Sequence, residues 1–97
     1  MDEFVEDVLR LVEEIPPGKV LTYGRVAAAL QRGGARNVGS IMAIHGHGVP
    51  WWRVVRANGT LPDHLMIDAL QHWHAEGTPL RRGTVHMREA LWDIDAE

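Results

Sequence analysis

The sequence predicts a mainly α domain built on a winged-helix-like helix-turn-helix with a short β-ribbon. Three observations carry that reading. Apolar residues recur at helical spacing in four segments; two of these are short and are separated by Gly33 and Gly34; and a Pro50 to Val55 stretch with β-forming valines runs into an Asn58-Gly59 turn signal. At 97 residues and 45% hydrophobic content the chain can bury one modest core, so residues 1–97 are read as a single domain.

The first segment, Asp2 to Glu14, places Phe4, Val5, Val8, Leu9, Leu11, Val12 and Ile15 at the spacing of an amphipathic helix, with Asp2 as its N-cap and Pro16, Pro17 and Gly18 ending it. Val20 and Leu21 read as extended. Thr22 can cap a short helix from about Tyr23 to Gln31 whose Val26, Ala27 and Leu30 face inward. After the glycine pair, a second short helix runs from about Ala35 to Ile44, with Val38, Ile41, Met42 and Ile44 on its apolar side. In a helix-turn-helix this second helix offers its N-terminal residues to nucleic acid.

His45 to Val49 reads as a glycine-rich loop, and Pro50 biases Val49 towards extended geometry. Trp51 to Arg56 then reads as a strand, with the ribbon closing at Asn58 and Gly59. Strand alternation would send Trp51 and Trp52 to opposite faces, leaving one of them for solvent, a pocket or a partner. From Asp63 to about Glu76, Leu65, Met66, Ala69, Leu70 and Trp73 repeat at helical spacing and Gly77 stops the helix. The tail, Leu80 to Glu97, is expected to supply a short strand and a last turn over the core.

Charge is distributed in blocks. Residues 1–15 hold six acids against Arg10, and residues 63–97 hold seven against Arg81, Arg82 and Arg88. Residues 16–62 contain no acid and carry Lys19, Arg25, Arg32, Arg36, Arg53 and Arg56, so a net charge of −3 conceals a basic segment suited to a polyanion. The acidic start and the lack of a long apolar run argue against a signal peptide or membrane span, so a cytoplasmic chain without a membrane partner is expected.

Several chemistries are excluded. With no cysteine there is no disulfide, no thiolate nucleophile and no Cys-ligated metal. The pairs His45/His47 and His72/His74 are a weak metal signal, because residues two apart on a helix face apart, and no metal or cofactor is expected. No nucleophile elbow, phosphate-cradling loop or carboxylate general base stands in the basic segment.

Ile15, Pro16, Gly18, Lys19, Val20, Thr22, Tyr23, Gly24 and Val26, then Ala35, Arg36, Val38, Gly39 and Met42, then Pro50, Arg53, Val54 and Gly59, form a co-linear set. This set resembles the C-terminal domain of the O6-alkylguanine-DNA alkyltransferases over about residues 4–76. Where those enzymes read Pro-Cys-His-Arg, this chain reads Pro50-Trp51-Trp52-Arg53. Tryptophan at the acceptor position resembles the alkyltransferase-like proteins, which bind DNA without transferring an alkyl group. The missing thiolate points independently to a non-enzyme.

The resemblance implies that Arg36 enters the duplex and fills the gap left by an extruded base, and that Tyr23 presses on the backbone to turn the nucleotide out. It implies that Ala35, Asn37, Gly39 and Ser40 lie along the minor groove, with Arg53 and Arg56 counted among the DNA-binding residues. Met42, Val49, Pro50, Trp51 and His64 would line the lesion pocket. Lys19, Arg25 and Arg32 are further candidates for phosphate contacts. Two features depart from the family: Trp52 replaces a histidine, and the stretch between Arg36 and Trp51 is shorter.

The expected partner is duplex DNA containing O6-alkylguanine, with nucleotide-excision repair proteins acting next. Nothing in the sequence demands a dimer, and a monomer is expected. The alternative is a helix-turn-helix regulator reading sequence in the major groove. Against it stands the paucity of base-reading Asn, Gln and Lys on the second short helix.

Overall fold

The computed structural model describes residues 2–96. Helix α1 spans Glu3–Glu14, and the Asp2 carboxylate caps it by accepting from the Phe4 N–H at 2.8 Å. A two-residue strand β1, Leu21–Thr22, leads directly into α2, Tyr23–Leu30, where the Thr22 hydroxyl accepts from the Arg25 N–H at 3.1 Å. Gln31 ends α2 in the left-handed region at φ 57°, and Gly33 follows at φ 62°. Helix α3 spans Ala35–His45. Its first turn is held by Asn37, whose side-chain oxygen accepts from the Gly34 N–H at 2.9 Å. Helices α2 and α3 pack on each other and on α1 as the expected helix-turn-helix.

Two 3-10 turns, Gly46–Gly48 and Trp51–Arg53, precede strand β2, Val54–Val55. Helix α4, Asp63–Glu76, ends at Gly77 in the left-handed conformation, as its sequence predicts. An antiparallel ribbon of β3, Leu80–Arg81, and β4, Thr84–Val85, is followed by a single helical turn, α5, Met87–Ala90.

Strand β2 pairs in parallel with β1, Leu21 opposite Val54 and Thr22 opposite Val55. This short ladder divides the core, because successive side chains point to opposite faces. Leu21 and Val54 join α1, α2 and α3 in one apolar cluster, whereas Val20 and Val55 join Leu61, Ala69, Trp73, Val85 and Ala90 in a second. Tyr23 and Trp51 pack against both. The far edge of Val20 is closed by the tail: its N–H donates to the Ala90 carbonyl at 3.0 Å and its carbonyl accepts from the Trp92 N–H at 2.8 Å.

Three expectations are corrected. The ribbon does not lie at residues 54–59; Asn58 and Gly59 form a turn beside the ladder, closed by the Arg56 N–H donating to the Thr60 carbonyl at 2.9 Å, and the antiparallel ribbon is β3–β4. Trp51 to Arg53 is a 3-10 turn, so strand alternation does not govern the two tryptophans. Ile44 is 69% exposed, because at 3.6 residues per turn it stands about 120° round α3 from Val38, off the face that Val38, Ile41 and Met42 bury.

Gly59 joins the turn to the ribbon at closest approach. At φ 81° an added Cβ would stand 2.3 Å from the Val85 carbonyl oxygen, while the Gly59 carbonyl accepts from the Val85 N–H at 3.0 Å. Gly59→Ala is therefore expected to lower unfolding free energy by about 2–3 kcal/mol, from left-handed strain plus backbone displacement. Urea unfolding followed by circular dichroism measures it, and an unchanged midpoint would show that the turn shifts freely.

Candidate nucleic-acid interface

Helix α3 carries the residues at issue on its outward side. Ala35, Arg36, Asn37 and Ser40 are exposed, while Val38, Ile41 and Met42 are buried against the first core cluster. Arg36 makes no ion pair among the described residues, so its guanidinium projects unengaged from a face otherwise made of small side chains. Gly39 has open space where a Cβ would be, which admits a close-lying backbone.

Beside α3 lies a cavity of about 410 Å³. Gly39, Met42, Ala43, Gly46 and His47 from the α3 side, Tyr23 from the start of α2, Trp51 from the 3-10 turn, and Leu61, Pro62, His64, Leu65 and Asp68 from α4 and the segment before it all line it. Such a volume lies in the range of small-molecule sites, and an aromatic wall offers a stacking surface to a planar base. Of the expected pocket residues, the cavity brings together Met42, Trp51 and His64, and it adds Tyr23 and Gly39 from the expected DNA-contacting set.

Val49 and Pro50 are not in the lining. Val49 is buried in the first core cluster, and its carbonyl accepts from the Trp51 N–H at 2.7 Å, so these two residues place Trp51 instead of forming the wall. The 3-10 turn also separates the tryptophans by role. Trp51 lines the cavity, while Trp52 stacks flat on His72, with centroids 3.6 Å apart and planes 5° from parallel. Trp51 meets both rings edge-on.

Arg53 does not reach the outer face. Its side chain is 13% exposed; Nη1 donates to the Ile15 carbonyl at 2.9 Å and Nε donates to both Glu76 carboxylate oxygens at 3.1 Å. Glu76 also accepts from the Trp52 indole N–H at 2.9 Å and from the Gly18 N–H at 3.2 Å. From the opposite side the fully buried Trp73 donates its indole N–H to the Trp52 carbonyl at 2.8 Å. Burial pushes the Glu76 carboxyl up, but the hydrogen bonds from Arg53, Trp52 and Gly18 and the Arg53 charge outweigh it and hold the group below its ordinary value.

The basic segment is thinner in space than in sequence. Arg32 pairs with Asp7 and lies over the Phe4 ring, and Lys19 donates to the Glu89 carbonyl at 3.3 Å. With Arg53 internal, Arg25, Arg36 and Arg56 are the arginines of this segment without an ion pair among the described residues. Arg56 acts on Tyr23: burial raises the phenol's pKa and the Arg56 charge partly offsets this. The described residues bring no three metal-ligating side chains together, and no helix among them is long and apolar enough to cross a membrane.

Of the loop His45 to Val49, read from the sequence as the pocket loop, Gly46 and His47 line the cavity, whereas sequence reasoning missed Ala43, Leu61, Pro62, Leu65 and Asp68. The one available signal was the spacing of His64, Leu65 and Asp68, which places them on one side of α4.

A family model described as 6-O-methylguanine DNA methyltransferase, DNA binding domain, matches residues 3–77. A DNA base-flipping protein of Vibrio parahaemolyticus is 33% identical, over 95% of this chain and 98% of its own length. Alkyltransferase-like protein 1 of Schizosaccharomyces pombe is 46% identical over 63% of this chain and 59% of its own. The crystal structure of S. pombe Atl1 in complex with damaged DNA containing O6-carboxymethylguanine is similar with a TM-score of 0.82 and 31% identity, covering 95% of this chain and 96% of that one.

The Glu76 cluster sets a pH dependence. A carboxyl that ionises below its ordinary value of 4.5 contributes stability that is present above that value and is lost as pH falls through the folded-state pKa. Glu76→Gln is expected to cost about 2–4 kcal/mol at pH 7, since it leaves Arg53 buried without its counter-charge. That gap should narrow on acidification below pH 4.5. Urea unfolding of both proteins across this range measures it; a constant gap would show that the carboxylate charge is not what stabilises the turn.

Proposed function

The chain belongs to the family of the 6-O-methylguanine DNA methyltransferase DNA-binding domain, and we propose that it is a non-enzymatic member that recognises O6-alkylguanine in duplex DNA. It is alkyltransferase-like in sequence and in fold. Residues 1–97 act in this reading as one DNA-binding domain, as a monomer working on DNA in the cytoplasm. The observation that carries it is the position of Trp51: the residue that the sequence resemblance puts at the alkyl-acceptor position lines a cavity beside a helix whose Arg36 makes no ion pair among the described residues.

The mechanism follows from that arrangement. The small outward residues Ala35, Gly39 and Ser40, with Asn37 alongside, let α3 approach the floor of the minor groove, and Arg36 enters the stack where the modified nucleotide leaves it. Tyr23, held firmly by its contacts with both core clusters, bears on the backbone of that nucleotide. Arg56 stands close to Tyr23 and supplies a cation for the adjacent phosphate. Unstacking a base costs a few kcal/mol, and less for a pair already weakened by alkylation, so part of the selectivity is set before the base reaches the cavity.

The extruded base then meets the Trp51 ring and the apolar walls of Met42, Leu61 and Leu65. Transfer of the alkyl group would need a nucleophile that keeps it, and the chain contains no cysteine. The lesion therefore stays intact and the bound, distorted duplex is the signal, passed on to nucleotide-excision repair proteins. Arg53, by contrast, acts from inside by holding the Trp51 turn.

Fluorescence titration against two duplexes that differ in one O6-methylguanine tests the reading, at a fixed low salt concentration because phosphate contacts are salt-dependent. The modified duplex should bind more tightly and be recovered chemically unchanged; equal binding would leave a general DNA-binding domain of this fold. Arg36→Ala should weaken binding to the modified duplex at least tenfold, about 1.4 kcal/mol. Trp51→Ala should reduce the preference for the modified duplex more than it reduces binding to the plain one. Equal losses on both duplexes would make Trp51 a structural residue only.

A further inference from the structure

Asp68 supplies a carboxylate to the cavity lining, and no lysine or arginine lines the cavity with it. It stands on α4 one turn beyond His64, which also lines the cavity, as does His47. Among the described residues Asp68 pairs with no cation, and its carboxylate accepts no hydrogen bond. The surrounding walls are apolar: Met42, Trp51, Leu61 and Leu65. Asp68 is exposed to solvent, which screens its charge in part, but the apolar walls beside it strengthen its field within the cavity, so this carboxylate acts on whatever enters.

Given the functional reading above, on which this inference rests, the geometry points to Asp68 as the residue that sets the charge selectivity of the cavity, favouring guanines with neutral O6 substituents over those with anionic ones. A neutral alkyl chain meets apolar carbon and loses little on leaving water. A substituent ending in a carboxylate meets a like charge with no lysine or arginine in the lining to offset it. Two unit charges within a cavity of this size, partly screened by water at its mouth, differ from the neutral case by about three- to tenfold in affinity. Tyr23, His47 and His64 are the other titratable groups of the lining, so every comparison is made at one fixed pH.

The experiment uses duplexes of one sequence carrying O6-carboxymethylguanine, its neutral isostere O6-carbamoylmethylguanine, O6-methylguanine or plain guanine. The isosteric pair cancels the phosphate contribution and leaves the substituent charge. The full chain should bind the carbamoylmethyl duplex about three- to tenfold more tightly than the carboxymethyl duplex. Asp68→Asn should bring that ratio close to one, and Asp68→Lys should invert it. Glu14→Gln, which removes one negative charge at the far end of α1, should keep the wild-type ratio. A wild-type ratio of one, or a ratio that survives Asp68→Asn, overturns the assignment. Failure to prefer O6-methylguanine over plain guanine would instead remove the functional reading, and the assignment with it.

Discussion

The Glu76 carboxylate holds the site together. Placed in the last turn of α4, it accepts from Gly18, which ends the turn after α1, from the Trp52 indole and from the Arg53 guanidinium. Two segments distant from α4 in sequence thus converge on two oxygens. The Trp51–Arg53 turn has only local backbone bonds of its own, and such a turn is poorly ordered unless tertiary contacts over-determine it. Glu76 from one side and the Trp73 indole from the other provide those contacts, and Trp51 is thereby fixed in the cavity wall. A buried ion pair is often no more stable than an apolar replacement, but it specifies geometry, and geometry is what a binding wall requires.

The helices were legible because their signals are local. Asp2 and Thr22 cap where their residue types suggest, α4 stops at Gly77, and the amphipathic spacing of α1 corresponds to the face that is buried. Ile44 escaped that logic because it follows Ile41 by three residues yet stands off the centre of the face that Val38, Ile41 and Met42 bury. The ribbon escaped it for a different reason. Strands of two residues are too short for alternation to register, and the turn between β3 and β4 places Arg82 at φ 55°, where asparagine or glycine is the usual marker. Val54 and Val55 were correctly read as extended, but their partner, Leu21–Thr22, lies far away in sequence.

The candidate site was legible in outline and not in its electrostatics. Arg36 and the small residues around it stand outward as helical phase requires, and Met42, Trp51 and His64 share a cavity. Counting charges along the chain overstated the basic face, because Arg32, Lys19 and Arg53 each find an acceptor brought to them by the fold. Asp68 was the converse case: it belongs to an acidic block in sequence, yet α4 sets it against the cavity that residues of the basic block enclose.

The two clusters of the core also differ in when they can form. The α1–α2–α3 cluster draws its buried residues from positions no later than Val54, whereas the other needs Val85 and Ala90, and the Val20 N–H and carbonyl find their partners at Ala90 and Trp92. Non-local pairings of this kind are slow, because closing a long loop costs entropy before any contact offsets it. The helical half can therefore assemble first, with the apolar edge formed by Val20 and Val55 left uncovered until Val85 and Ala90 dock on it. The interval before that edge is covered is when a folding chain is most exposed to misassociation and to proteolysis.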